Sequence, residues 1–176
     1  TTATIDDIAT DQTIDASTFA GFVELNLAKD AFDSSLTIKG GASTTDQVST
    51  IIEGVDNKIA SMTGIETLVL TSDNTDTSAS ADLTNVTGLT TVKAVFDTSG
   101  AADQIKIDKL PAGVPVKLTA THATGDNLVI GAADASSTTT AVTVQVDAAL
   151  TATNDSVNID AAGVETFTLY NKSGAA

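Results

Sequence analysis

The chain has 176 residues, of which 41% are hydrophobic but only 3% aromatic, and it contains neither Cys nor Trp. Its formal net charge is −15, because 23 acidic residues, 19 of them Asp, face eight bases that are all Lys. The lack of Cys excludes a disulfide framework. The excess of acidic residues argues against a nucleic acid as a partner. The sequence contains no apolar run of about 20 residues, so no membrane-spanning segment is predicted.

The first part of the chain reads as a weakly patterned start followed by short strands. Residues 1–20 are acidic and are predicted to form a cap or linker. The first clear strand covers residues 21–27, and residues 35–39 alternate between polar and apolar side chains as a second strand does.

The segment after these strands fits two kinds of secondary structure. Between residues 46 and 60 the apolar residues Val48, Ile51, Ile52 and Val55 follow helical spacing, which predicts a short helix. The β-branched side chains equally fit a strand at residues 49–52. Both alternatives stay open from the pattern alone.

From about residue 59 onwards a repeat of about 25 residues dominates, the kind of period that indicates stacked repeats. Each unit carries a strand introduced by glycine, and the repeated glycines are Gly21, Gly64, Gly88, Gly113 and Gly163. A second type of strand follows an Asp, at residues 103–107, 126–130 and 155–159. The expected fold is a mostly β, right-handed parallel β-solenoid resembling a β-roll, with a β-sandwich as the alternative. We expect one domain over residues 1–176, forming a portion of a longer repeat array.

Stacked coils place equivalent turns above one another, so the Asp residues of these turns would form columns of oxygen ligands. Calcium takes six to eight oxygen ligands and tolerates irregular geometry. The predicted calcium ligands are Asp73, Asp76, Asp97, Asp103, Asp126, Asp134, Asp147 and Asp155. The alternative is that these residues only form solvated turns that keep the rod soluble.

Two sequence features resemble known families. Residues 40–48, Gly-Gly-Ala-Ser-Thr-Thr-Asp-Gln-Val, are similar to the RTX nonapeptide that binds calcium in β-rolls. The Gly-(Ile/Val)-Glu-Thr strands at residues 64–70 and 163–169, in an Arg-free chain rich in Thr, Ala and Asp, resemble bacterial surface-layer proteins of the type I-secreted Caulobacter kind. This resemblance implies a calcium-bound solenoid that assembles into a two-dimensional lattice on the cell surface.

These observations predict a structural role. His122 is the only histidine and Cys is absent, which argues against a Ser-His-Asp triad and excludes a Cys nucleophile. Paired acids such as Asp6 and Asp7 could in principle act on a glycoside, but the chain offers few aromatic side chains for a sugar-binding cleft, and we expect no enzymatic activity. The predicted function is a secreted structural protein of an extracellular surface layer, self-assembling with calcium. Its expected partners are neighbouring copies and cell-surface polysaccharide. Two alternatives are an adhesin or stalk segment on a calcium-stiffened rod and an ice-binding solenoid.

Overall fold

The computed structural model describes residues 1–54, 57–73, 78–96, 103–119, 124–133, 141–146, 156–161 and 163–171. All regular secondary structure in these ranges is strand, and the predicted β class is confirmed. The strands are β1 (Thr2–Ile8), β2 (Thr13–Asp15), β3 (Phe22–Leu27), β4 (Thr37–Lys39), β5 (Gln47–Ile52), β6 (Ser61–Thr63), β7 (Thr67–Ser72), β8 (Ala79–Asp82), β9 (Val86–Thr87), β10 (Thr91–Val95), β11 (Gln104–Leu110), β12 (Val116–Leu118), β13 (Thr124–Ala132), β14 (Ala141–Val146), β15 (Ser156–Asp160) and β16 (Thr166–Asn171).

The strands form three sheets in which neighbouring strands run parallel. The long sheet has the order β1-β3-β5-β7-β10-β12-β14-β16, and two four-stranded sheets have the orders β2-β4-β6-β9 and β15-β13-β11-β8. Within a sheet each strand pairs with the strand one coil away; Thr37, for example, pairs with Thr13 and with Ser61. The architecture is therefore a β-solenoid with about 24 residues per turn. The β-sandwich alternative is wrong, because a sandwich is built from antiparallel pairs.

The helix alternative at residues 46–60 is also wrong. Strand β5 occupies residues 47–52 and pairs with β3 on one side and β7 on the other. Val48 and Ile52 point into the core, whereas Ile51 lies on the outer face with 40% of its surface exposed. A helix would have buried all three residues on one stripe. The coils on either side impose the extended backbone, and they override the helical spacing of the apolar residues.

The core consists of columns of aliphatic side chains that run along the solenoid axis. The pairing register stacks one residue from each coil of the long sheet into a central column. Its fully buried members are Leu25, Val48, Leu68, Val92, Val116 and Val144. Burying one such side chain contributes about 1.5–3 kcal/mol, so each coil adds a similar increment to the stack.

Glycine is required where consecutive coils turn towards the long sheet. Gly64, Gly88, Gly113 and Gly163 all have a positive φ, between 65° and 93°. Gly21 has no such backbone conformation, but a Cβ there would lie 2.1 Å from the carbonyl oxygen of Thr1. The repeated glycines thus mark the corner that precedes the strands of the long sheet.

Along the solenoid axis, one of the two smaller sheets ends where the other begins. The sheet of β2, β4, β6 and β9 ends at Val86–Thr87, while the sheet of β8, β11, β13 and β15 starts at Ala79–Asp82. The coil that holds β7, β8 and β9 therefore contributes a strand to all three sheets. In this coil the cross-section of the solenoid changes, a change that a fixed sequence period does not reveal.

Candidate functional site

The described part of the chain buries two of the predicted ligand residues side by side in the interior. Asp103 immediately precedes β11 and Asp126 lies in β13, and both are almost completely buried. They occupy neighbouring coils, because the residues after them, Gln104 and Asn127, are register partners. Their carboxylates face inward with Ile105 and Leu128, the next buried residues of the two strands.

The hydrogen bonds of these carboxylates link successive coils. Asp126 Oδ1 accepts a hydrogen bond from the backbone N–H of Asp103 at 3.1 Å. Asp103 Oδ2 accepts one from Ser72 Oγ at 2.8 Å, across the corner from the long sheet. A buried carboxylate is tolerated when donors of this kind compensate for its lost hydration. These two residues therefore act as interior braces between coils.

Asp46 has the same geometry in the long sheet, and sequence analysis did not assign it a role of its own. Its carboxylate is fully buried; Oδ1 accepts the N–H of Val23 at 2.9 Å and Oδ2 accepts the N–H of Gly41 at 2.7 Å. The donor Val23 lies 23 residues upstream, the same separation as between Asp103 and Asp126. The shared signal is an Asp followed by Gln or Asn and then an aliphatic residue, which could have identified all three.

This geometry explains the segment that is similar to the RTX nonapeptide. A Cβ at Gly40 would lie only 1.7 Å from the carbonyl oxygen of Gly64, so the tight approach of the next coil demands glycine there. Both carboxylate oxygens of Asp46 hold backbone amides of the turn and of the preceding coil. The turn is closed by its own side chain.

Asp73, another predicted ligand, contacts a lysine from a distant part of the sequence. Lys29 Nζ lies between the carboxylates of Asp73 and Glu53, so one ammonium group bridges three successive coils. The hydrogen bonds that Lys29 donates to Asp73 and Glu53 raise the pKa of Lys29. The hydrogen bond from Lys29 lowers the pKa of Glu53, but the neighbouring Asp73 carboxylate and burial outweigh it, and the net pKa is raised. A built-in cation thus occupies the space between these stacked acids.

Other acids are neutralised by lysines one coil away. Lys39 Nζ lies 3.1 Å from Asp15 Oδ2, and Lys58 Nζ lies 3.3 Å from Asp82 Oδ2. Hydrogen bonds from the Ser17 hydroxyl and N–H, followed by that from Lys39, lower the pKa of Asp15 to about 2. Partial burial acts to raise the pKa of Asp82, but hydrogen bonds from its turn and from Lys58 lower it overall.

The described residues include only some of the predicted calcium ligands. Among these residues no group of three or more His, Cys, Asp or Glu side chains could hold a metal ion. The other predicted ligands lie outside the described residues, as does His122: Asp76, Asp97, Asp134, Asp147 and Asp155.

A cleft of about 460 Å³ lies where the sheet of β2, β4, β6 and β9 ends. Its described walls are mainly apolar, and Lys109 is the only charged residue among the described residues that line it: Leu83, Thr84, Val86, Lys109, Pro111 and Ala133. Apolar surface with a single ammonium group can accept a hydrophobic side chain, but it offers no acid–base pair.

The fold and these contacts define the chain as a β-solenoid repeat protein whose coils are braced by buried Asp residues and inter-coil ion pairs. In comparisons with known proteins, no family model, curated protein or solved structure matches the chain. Within the described ranges, no helix has the length and apolar character needed to cross a membrane.

Proposed function

We propose that this protein is a structural component of an extracellular surface layer, secreted and self-assembling into a lattice in a calcium-dependent way. Its coils are the building units, and its partners are other coils of the same type together with cell-surface polysaccharide. The proposal rests on one structural observation, the state of the core columns at the outermost strands.

The columns that are buried along the solenoid are open at β1 and β16. Ile5 pairs with the buried Leu25, yet 44% of its surface is exposed. At the other end Leu169 pairs with Val144 and is 56% exposed. Phe167 repeats the pattern in a second column, at 42% exposure. Within the described residues β1 and β16 are the edge strands of the long sheet, and an edge strand with exposed apolar side chains can be covered by a further parallel strand.

The charge of the chain supports a role for calcium in such assembly. A net charge of −15 makes copies repel one another, and the eight lysines cannot balance 23 acids. Cations that bind the assembled acidic coils more tightly than the separate chains shift the equilibrium towards assembly. Calcium sites of extracellular modules often have dissociation constants of about 10⁻⁴–10⁻³ M, and sites that weak are occupied outside cells.

A stalk or adhesin segment is the second candidate, because the eight-stranded sheet presents a continuous outer face to a ligand. The ice-binding alternative gains no support from that face. The outward column that contains Thr67 and Thr91 continues through Gln47 and Glu24, which interrupt a regular threonine array.

Light scattering during a calcium titration, started from protein treated with EDTA, tests the proposal. We expect scattering to rise with calcium, to rise less with magnesium at equal ionic strength, and to fall again when EDTA is added. The variant Leu169→Asp should assemble poorly, whereas Thr168→Asp, on the outer face of the same strand, is the matched control. A chain that stays monomeric at every calcium concentration would overturn the proposal.

A further inference from the structure

The outer face of the long sheet carries an uneven charge distribution that self-assembly alone does not explain. Register and hydrogen bonding stack one outward residue per coil into an outer column. In order along the solenoid axis its members are Asp6, Asn26, Ser49, Val69, Lys93, Lys117, Gln145 and Tyr170. The column therefore begins with an acid, passes through three uncharged residues to two lysines on adjacent coils, and continues with the uncharged Gln145 and Tyr170.

The neighbouring residues of the face extend this pattern. Glu24 lies on the β3 coil, beside the acidic end of the outer column. Ile51 and Val69 lie near the middle, and Ile51 is one of the few large apolar side chains that are substantially exposed. Neither Lys93 nor Lys117 forms an ion pair within the described residues, whereas four of the five other described lysines do.

We infer that this face binds the same face of a second copy, with the two solenoid axes antiparallel. The inference rests on the proposed self-assembly and specifies a lateral contact for it. The two-fold axis runs parallel to the strands and lies between β5, which carries Ser49, and β7, which carries Val69. It places Lys117 of each copy opposite Asp6 of the other. The same rotation sets Lys93 of one copy opposite β3 of the other, the strand that carries Asn26 and Glu24. The contact is isologous, so both copies use one surface twice.

The apolar centre fits the same arrangement. With the axis between β5 and β7, Ile51 of one copy faces Thr71 of the other, because these two residues are register partners. Flat sheets pack face to face at about 10 Å, which lets side chains of this size meet. A parallel arrangement of the copies would instead set lysines against lysines, and like charges in direct apposition disfavour it.

The size of the face predicts a weak contact that suits a lattice. In this arrangement the six coils from β1 to β12 overlap, and β14 and β16 lie beyond the overlap. Six coils spaced by about 4.8 Å, each presenting about five residues at about 3.3 Å, cover about 500 Å² per partner. A specific interface normally buries more than about 1,000 Å² in total, so this contact lies at the lower limit. Many weak contacts of this kind, repeated in a layer, add up to a stable assembly.

Chemical crosslinking tests the arrangement directly, because the chain has no native cysteine. The variant Ser49→Cys places one thiol next to the two-fold axis, and Thr63→Cys places one on the sheet of β2, β4, β6 and β9 as the control. With a short thiol-specific bifunctional reagent we expect several-fold more dimer from Ser49→Cys. Equal yields from the two variants would overturn the inference.

Charge reversal gives an independent test that does not depend on crosslinking. The double variants Asp6→Lys/Glu24→Lys and Lys93→Glu/Lys117→Glu should each lose lateral association in sedimentation velocity, with unchanged circular dichroism. Mixing the two variants should restore it, since every charge pair is then opposite in sign again. Association that is unaffected by reversal, or a mixture that shows no recovery, would contradict the arrangement.

The two proposals fail in different ways. Calcium-dependent scattering without Ser49→Cys crosslinking would remove the lateral contact and leave self-assembly through the open coils intact. The absence of both signals would remove self-assembly as well.

Discussion

The buried carboxylate of Asp46 offers the sharpest test of how the coils are held together. In Asp46→Ala the N–H groups of Val23 and Gly41 lose the acceptors that they contact at 2.9 and 2.7 Å. Hydrogen bonds to a charged group contribute about 1.5–3 kcal/mol each, and a buried donor left unsatisfied costs about 1–3 kcal/mol. We therefore expect the free energy of unfolding to fall by about 3–5 kcal/mol, a large part of the about 5–15 kcal/mol typical of a domain.

Asp46→Asn separates the loss of charge from the loss of shape. The amide keeps one oxygen acceptor but turns its NH₂ group towards a backbone donor, so we expect about 2–3 kcal/mol of destabilisation. Urea unfolding measures both variants: with an m value of about 2 kcal/mol per M, a loss of 3 kcal/mol lowers the midpoint by about 1.5 M. The control is Asp160→Asn, at an exposed position. A midpoint for Asp46→Ala equal to that of the control would refute the reasoning.

Three further predictions follow from the contacts between coils. Gly40→Ala should unfold the stack locally or lower its melting temperature strongly, since the new Cβ would lie 1.7 Å from a carbonyl oxygen. Gly54→Ala is the control: its Cβ would meet no atom within 4 Å, and the free energy of unfolding should fall by only about 1 kcal/mol because of the positive φ. The pKa of Asp15, about 2 in the folded protein, should rise towards its ordinary value in Ser17→Ala, as followed by NMR titration. Because that folded pKa lies below the unfolded one, Asp15 stabilises the fold fully above the unfolded pKa and loses this effect as pH falls to about 2. Lys29→Met leaves the carboxylates of Glu53 and Asp73 facing each other without a cation between them. The melting temperature of this variant should fall most at neutral pH and less in acid, where the carboxylates are protonated. Added calcium should restore it.

The class of fold could be predicted because a solenoid repeats its constraints in every coil. Four of the five repeated glycines have a positive φ at the same corner, and the alternating strands after them supply the core columns. The helical spacing around Ile51 misled the prediction, because it takes the neighbouring coils to decide between helix and strand. The exchange between the two small sheets depends on how one coil bends, and no local pattern encodes that bend.

The candidate site was less predictable for a physical reason. An Asp before a strand can point outward into a turn or inward under the next coil, and the same residue types serve both positions. Asp103 and Asp126 turn out to be interior braces, whereas Asp73 contacts Lys29 from 44 residues upstream. The ion pairs Lys39–Asp15 and Lys58–Asp82 could have been predicted from the sequence, because the two residues of each pair are separated by one coil period.

Electron microscopy of the purified chain, with calcium and then with excess EDTA, tests whether the chain assembles and whether its assembly needs calcium. We expect ordered sheets or filaments that form in calcium and disperse in EDTA. Dispersed single particles at all calcium concentrations, with the β signal of circular dichroism intact, would contradict it.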